Sequence, residues 1–126
     1  MLLIFANISY ANARYFLSHE AISGNVKRVD YLLKHYGWHP DTPDKYGRTI
    51  LMEAAERGRH NVIEYLLDNG ADINYQDQSG ATPLMYAVCD SRANRINTCM
   101  LLVSRGAEID TCSFWCFSFK TCSWCS

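Results

Sequence analysis

The segment DKYGRTILMEA at residues 44–54 recurs as DQSGATPLMYA at residues 77–87, with six of eleven letters returning at a spacing of 33 residues. The segment LLDNGADIN at 66–74 is echoed by LVSRGAEID at 102–110 at a spacing of 36, which places three additional residues between Val88 and Thr98. Self-similarity at such a period is typical of chains built from stacked helical repeats, so it predicts the architecture before any single motif does.

A weaker copy of the same pattern lies upstream. Six positions between residues 17 and 33 match positions between residues 51 and 67 at a spacing of 34. The chain is therefore expected to contain units at about 14–43, 44–76 and 77–111, preceded by a lead-in segment, 1–13, and followed by a cysteine- and aromatic-rich segment, 112–126.

Each of the two clear units begins with a turn and continues into a helix. Asp44 and Asp77 are expected to open tight turns, in which Gly47 and Gly80 occupy positions that need a positive φ. The threonines that follow, Thr49 and Thr82, are expected to cap the first helix with their hydroxyl groups, and Pro83 suits the first helical position.

A second helix follows the first in each unit. Gly58 is expected to end the first helix, and Gly70 the second. Between them, an apolar stripe at helical spacing is formed by Val62, Ile63, Leu66 and Leu67. Because neither helix can bury its apolar face alone, the units must stack. The predicted fold is an all-α solenoid of about three helix-turn-helix units joined by β-turn or hairpin loops.

The two first-helix segments resemble the ankyrin repeat family, whose signature is T-P-L-H-x-A with a period of 33. TPLMYA at 82–87 departs from it only at Met85, and TILMEA at 49–54 departs at Ile50 and Met52. In that family the signature histidine ties neighbouring loops together through hydrogen bonds. The two methionines therefore predict looser polar coupling between units.

The resemblance implies a module that binds another protein through its turn tips and the concave face of its first helices, and no enzymatic activity. The positions expected to face outward on that surface are His19, Lys45, Tyr46, Arg48, Glu53, Glu56, Arg57, Gln78, Ser79, Ala81, Tyr86 and Asp90. Tyr46 and Tyr86 are the expected energetic anchors, since tyrosine is enriched among interface hot spots.

The C-terminal segment, CSFWCFSFKTCSWCS at 112–126, allows a second hypothesis. Its cysteine pairs could ligate zinc or act as redox-responsive thiols in a regulatory module, the four residues being Cys112, Cys116, Cys122 and Cys125. An irregular chain end is the favoured alternative, and a docking segment of a larger truncated multidomain protein is a third. The last helix is apolar nearly all round, which predicts that the C-terminal segment folds back onto it.

Other function classes are disfavoured by composition and motifs. The formal net charge is -1 and the basic residues are scattered, so no nucleic acid is expected as a partner. No apolar stretch approaches the ~20 residues of a membrane span, and no cofactor, catalytic or small-molecule motif is present. We expect an intracellular, cytoplasmic protein, with the nucleus left open. His35 and His39 are not expected to pair, His60 is expected to pack or cap, and Cys89 and Cys99 are expected to be small buried apolar groups.

Overall fold

A computed structural model describes residues 10–88 and 95–109 of the chain. These residues form six helices, namely α1 (Tyr10–Ser23), α2 (Val26–Tyr36), α3 (Ile50–Arg57), α4 (His60–Asp68), α5 (Pro83–Val88) and α6 (Arg95–Ser104). No strand occurs within the described ranges. The predicted all-α helix-turn-helix fold is confirmed. Predictions that concern Cys89, Asp90 or residues 110–126 lie outside the described residues.

Consecutive helix pairs make three units: α1 with α2, α3 with α4, and α5 with α6. The first helix of the second unit, α3, packs against both α1 and α5, and α4 packs against α2, so unit 2 lies between the others. Helix α1 begins at Tyr10, four residues before the predicted start of unit 1 at Arg14, and Ala13 is already buried.

The turns before α3 and α5 have the same hydrogen bonds. The Asp44 carboxylate accepts from the N–H groups of Tyr46 and Arg48, and the Asp77 carboxylate accepts from Ser79 and Ala81 in the same way. Gly47 and Gly80 adopt φ values of 78° and 84°, as predicted. A Cβ on Gly47 would also lie 3.0 Å from the backbone nitrogen of Gln78 in the next turn. Glycine at 47 therefore allows both the turn and the close approach of its neighbour.

The two predicted threonine caps differ. The Thr49 hydroxyl accepts from the N–H of Met52, whereas the Thr82 hydroxyl oxygen is buried and has no hydrogen-bond partner, so the prediction for Thr82 is wrong. Methionine sulfur takes part at both helix starts. The N–H groups of Thr49 and Thr82 donate to the sulfur atoms of Met52 and Met85 at 3.4 and 3.3 Å. Sulfur is a weak acceptor, yet it partners a donor that burial would otherwise leave unsatisfied.

One core runs through all three units. Buried leucines on the first helices, Leu17, Leu51 and Leu84, join the second-helix stripe of Val62, Ile63 and Leu66. Ala54 and Ala55 are fully buried where α3 contacts its neighbours, since a methyl group allows close helix approach. Cys99 is half-buried rather than buried and packs against the edge of this core.

The helix ends follow the sequence closely. Gly58 adopts a left-handed conformation and its N–H donates to the last carbonyls of α3, and α4 ends at Asp68 just before Gly70. Helix α2 ends at Tyr36, so His39 lies beyond it and cannot form a helical pair with His35. None of the helices in the described part of the chain is long and apolar enough to cross a membrane.

Candidate functional site

A groove opens between α1 and the Asp44–Arg48 turn. It contains a cavity of about 660 Å³, which lies within the size range of ligand-binding clefts. Its wall on the α1 side is formed by Ala11, Asn12, Arg14, Tyr15, Ser18 and Ile22. The opposite wall and the floor are formed by Pro43, Asp44, Lys45, Arg48 and Glu53. We call this space the concave groove.

Arg14 fixes the position of α1 relative to the turn. Its side chain is only 3% exposed. The Nε and Nη2 groups donate to the backbone carbonyls of Thr42 and Arg48 at 3.2 and 2.8 Å, and Nη1 contacts Ser18 and Glu53. A guanidinium group presents five donors in a rigid fork, so a single side chain can hold several chain segments in register.

Glu53 lies at the floor of the groove, where it joins two cations. One carboxylate oxygen is 3.5 Å from Arg14 Nη1 and the other is 3.1 Å from Arg48 Nη2. Burial alone would lower the pKa of Arg48, but its hydrogen bond to Glu53 raises that pKa overall. Glu53 is only 4% exposed, so the prediction that it faces outward is wrong. The reason is that Arg14, which belongs to the preceding unit, neutralises it inside the stack.

The same contacts continue into unit 3 through Tyr86. The Arg48 guanidinium lies 5.9 Å from the centre of the Tyr86 ring, and the Tyr86 hydroxyl donates to the Asp77 carboxylate. Burial and this bond raise the pKa of Tyr86. Burial opposes the charge of Asp77, but hydrogen bonds from Tyr86, Ser79 and the backbone hold the pKa of Asp77 below its ordinary value. A chain of polar contacts therefore crosses all three units beneath the groove.

The expectation of loose polar coupling between units is wrong. At the turns, Gln78 donates from its backbone nitrogen to the Tyr46 carbonyl and from its side chain to the Lys45 carbonyl, at 3.2 and 3.0 Å. Beneath them, Arg14 of unit 1 bonds to unit 2 through the Arg48 carbonyl and the Glu53 carboxylate. Other residue types thus make the connections that the signature histidine was expected to make.

The second helices are also tied across units. Tyr65 of α4 donates to the Asp30 carboxylate of α2 at 2.5 Å, and burial together with this bond raises the pKa of Tyr65 to about 12. His60 of α4 lies 2.8 Å from the Thr98 hydroxyl of α6. His60 therefore serves packing between units, which agrees with the packing role expected for it.

The predicted outward-facing residues fall into three groups. Those that are exposed are His19, Lys45, Tyr46, Arg57, Gln78 and Ser79. Those that are half-buried are Arg48, Glu56 and Tyr86. Glu53 and Ala81 are buried, at 4% and 1% exposure, and for both the outward prediction is wrong. The Ala81 methyl group faces inward because its N–H is drawn to the Asp77 carboxylate at the end of the turn.

Sequence reasoning missed the α1 wall of the groove. Tyr15 is 67% exposed and lines the cavity together with Ala11 and Asn12. At the spacing of 34, Tyr15 corresponds to Thr49, which caps a helix in unit 2. In unit 1 the helix instead begins at Tyr10, more than a turn earlier, so Tyr15 lies within a helix and faces the groove. The absence of a threonine at position 15 was the available signal.

The hypotheses that involve metal or redox chemistry are not tested by this part of the chain. Among residues 10–88 and 95–109, no group of three or more His, Cys, Asp and Glu side chains is arranged to hold a metal ion. The cysteines on which the zinc hypothesis depends lie at 112–125, outside the described residues.

The chain is similar to several known proteins over its repeat region. A human protein, transient receptor potential cation channel subfamily A member 1, is 37% identical over 70 residues, 56% of this chain and 6% of its own length. The Drosophila melanogaster transient receptor potential channel pyrexia is 32% identical over 90 residues, 71% of this chain and 9% of its own length. An ankyrin repeat-containing protein of Schizosaccharomyces pombe is 35% identical over 71 residues, 55% of this chain and 33% of its own length. The chain thus spans only a minor part of each relative.

The family model for ankyrin repeats in three copies matches residues 17–112, well over half of the chain. Ankyrin repeats are generally protein–protein interaction modules, and the family is typically a non-catalytic scaffold. With the repeated turns, the three stacked helix pairs and this match in agreement, the chain belongs to the ankyrin repeat family.

Proposed function

We propose that the protein is a non-catalytic scaffold that binds a partner protein in the concave groove and along the neighbouring turn tips. The observation that carries the proposal is the groove itself, a cavity of about 660 Å³ between α1 and the Asp44–Arg48 turn. A protein partner can insert a side chain into such a cavity while its backbone lies across the exposed turns.

Two exposed tyrosines supply the contact surface at this place. Tyr15 is 67% exposed on the groove wall, and Tyr46 is 56% exposed at the turn tip, with the Lys45 ammonium group 5.0 Å from its ring centre. Tyrosine offers a large rigid contact area at a low cost in side-chain entropy, which is why it is enriched among binding hot spots. Tyr46 therefore remains a proposed anchor, and Tyr15 joins it.

The floor of the groove favours an uncharged side chain from the partner. Both carboxylate oxygens of Glu53 already bond to cations. The Arg14 guanidinium group already makes four polar contacts within the stack. A further charge at this depth would lose its hydration, and Glu53 offers it no unpaired carboxylate oxygen. The paired floor also keeps the walls in place before binding, which lowers the entropic cost of association.

The experiment compares partner recovery by three versions of the protein used as bait in affinity purification with quantitative mass spectrometry. One version is the natural chain, and the second carries Tyr15→Ala, Lys45→Ala and Tyr46→Ala in the groove. The third is a matched control on exposed positions of α2, with Tyr31→Ala, Lys34→Ala and Lys27→Ala. Each recovered protein is then purified and titrated calorimetrically against all three versions.

A direct partner should bind the natural chain and the α2 control equally, and should lose at least about tenfold in affinity to the groove version, since two aromatic anchors are removed. All substituted side chains are exposed, so the unfolding midpoint of each version should stay close to that of the natural chain. If purified partners instead lose affinity for the α2 control and retain it for the groove version, the proposed surface is wrong.

A further inference from the structure

Helix α6 exposes three apolar side chains on one face. Ile96, Met100 and Val103 are 58%, 65% and 40% exposed, and Ile109 just beyond the helix is 56% exposed. Scattered exposed apolar residues are normal, but these three follow helical spacing and form a stripe. We call the stripe of Ile96, Met100 and Val103 the outer face of α6.

The outer face points away from the rest of the described stack. Thr98 and Arg105 of α6 contact His60 and Asp68 of α4, so they mark the side of the helix that faces unit 2. At 3.6 residues per turn, the three residues of the outer face lie about 140–200° around the helix axis from Thr98. They therefore lie on the side opposite to unit 2.

The corresponding positions of unit 2 show what such a face does. At the spacing of 36, the outer face corresponds to His60, Glu64 and Leu67 of α4. His60 bonds to Thr98 of the next unit, and Leu67 packs against the core. In unit 2, two of these three positions are thus engaged in packing. In unit 3 all three positions carry apolar side chains that are exposed. This arrangement is expected of a helix face on which another layer packs.

The sequence that follows supplies a covering layer of suitable chemistry. Residues 112–126 begin three positions after Ile109 and carry five aromatic side chains and one charge, Lys120, the aromatics being Phe114, Trp115, Phe117, Phe119 and Trp124. Fifteen extended residues reach about 50 Å, whereas the ten residues of α6 span about 15 Å. The segment can therefore return along the whole outer face, where thioether–aromatic contacts with Met100 are favourable.

We propose that residues 112–126 dock through their aromatic side chains on the outer face of α6, formed by Ile96, Met100 and Val103, and so close the described stack. The segment is tethered next to this face, so its effective concentration is in the range of mM for a short linker. A second copy of the chain, present at a lower concentration, is outcompeted. This inference concerns a surface away from the concave groove and does not rest on the proposed function.

Photo-crosslinking from the outer face tests the proposal on the full chain. Met100 is replaced by p-benzoylphenylalanine, and the product of irradiation is digested and mapped by tandem mass spectrometry. Tyr31, which is 55% exposed on α2 at the other end of the stack, is replaced in the same way as the matched control. The expected result is a crosslink from position 100 to residues 112–126 of the same chain, with a yield independent of protein concentration, and no such crosslink from position 31.

Two results would overturn the proposal. A crosslink from position 100 to another copy, with a yield that rises with protein concentration, would make a second copy the occupant. A yield to residues 112–126 no greater than that from position 31 would show that the segment does not dock.

Tryptophan fluorescence provides an independent measurement. In a Trp38→Phe background the emission comes only from Trp115 and Trp124, since the chain has three tryptophans. Docking should make acrylamide quenching about twofold weaker than in the urea-unfolded chain, because the indole rings are covered. Met100→Glu should remove this protection, whereas Lys27→Glu on exposed α2 should retain it. Equal quenching of the folded and unfolded chains would contradict docking.

Discussion

The interface between units 1 and 2 and the interface between units 2 and 3 use different kinds of polar contact. The first is centred on the ion pair of Arg14 and Glu53, whose side chains are 3% and 6% exposed. The second has an ion pair between Asp68 and Arg105, whose side chains are 64% and 37% exposed. It also has a backbone hydrogen bond between turns, from Gln78 to the Tyr46 carbonyl.

The stack should depend more on the buried ion pair than on the exposed one. Removing one member of a buried ion pair leaves a charge without compensation, and that is costly. Removing one member of an exposed pair leaves a charge that water solvates, so little stability is lost. Although the two interfaces join similar units, they should therefore respond unequally to equivalent substitutions.

The largest effect is expected for Arg14→Met. The substitution deprives the carbonyls of Thr42 and Arg48 of their side-chain donor and leaves Glu53 with only Arg48. The free energy of unfolding should fall by about 3 kcal/mol, as is usual when a buried charge pair is broken. Urea denaturation followed by circular dichroism measures it. Arg57→Met on an exposed position is the control, and an equal loss in both variants would refute the special role of the first interface.

The next-largest effects, for alanine at Gly47 and at Gly80, distinguish the contact between the two turns from the conformation of each turn. Gly47 and Gly80 both have a positive φ, but only a Cβ at 47 would approach another residue, the backbone nitrogen of Gln78 at 3.0 Å. A left-handed conformation costs roughly 1–2 kcal/mol for alanine, so Gly80→Ala should lower stability by about 1 kcal/mol and Gly47→Ala by about 2 kcal/mol. Thermal melts of both variants measure the difference. Identical melting temperatures would mean that a Cβ at position 47 does not clash with Gln78 in the neighbouring turn.

A smaller effect with a defined pH dependence is expected for Tyr86→Phe, which keeps the ring beneath Arg48 and removes the bond to Asp77. The pKa of Asp77 is lowered in the folded chain, so its contribution to stability is complete above its ordinary pKa and is lost as the pH falls through the lowered value. The variant should be less stable by about 1 kcal/mol near neutral pH. Urea midpoints at about pH 7 and about pH 3 should show that difference shrinking on acidification. A constant difference would exclude Asp77 as its source.

The smallest effect is expected for Asp68→Asn, which removes the exposed pair with Arg105. Exposed pairs contribute roughly 0–1 kcal/mol and are screened by salt, so the loss should be under about 0.5 kcal/mol and should vanish in high salt. Chemical denaturation at two ionic strengths provides the measurement. A loss comparable to that of Arg14→Met would remove the contrast between the two interfaces.

The repeat, the turns and most helix ends could be predicted from the sequence, because each depends on a few neighbouring residues. The Asp44 carboxylate caps N–H groups two and four positions ahead, and Gly58 ends α3 through carbonyls in its preceding turn. Such short-range chemistry repeats whenever the motif repeats. The exposure of Lys45, Tyr46 and Gln78 at the turn tips was predictable for the same reason.

Which residues of the groove and the turns remain exposed depends on contacts between units. Glu53 and Lys45 are equally polar in the sequence, yet Glu53 is buried because Arg14, thirty-nine positions away, reaches it from the neighbouring unit. Tyr15 faces the groove because α1 extends beyond the point at which the repeat pattern predicts a cap. The period established how the units stack. The surface that the stack presents depends on charge pairs between units, and no local sequence pattern encodes these pairs.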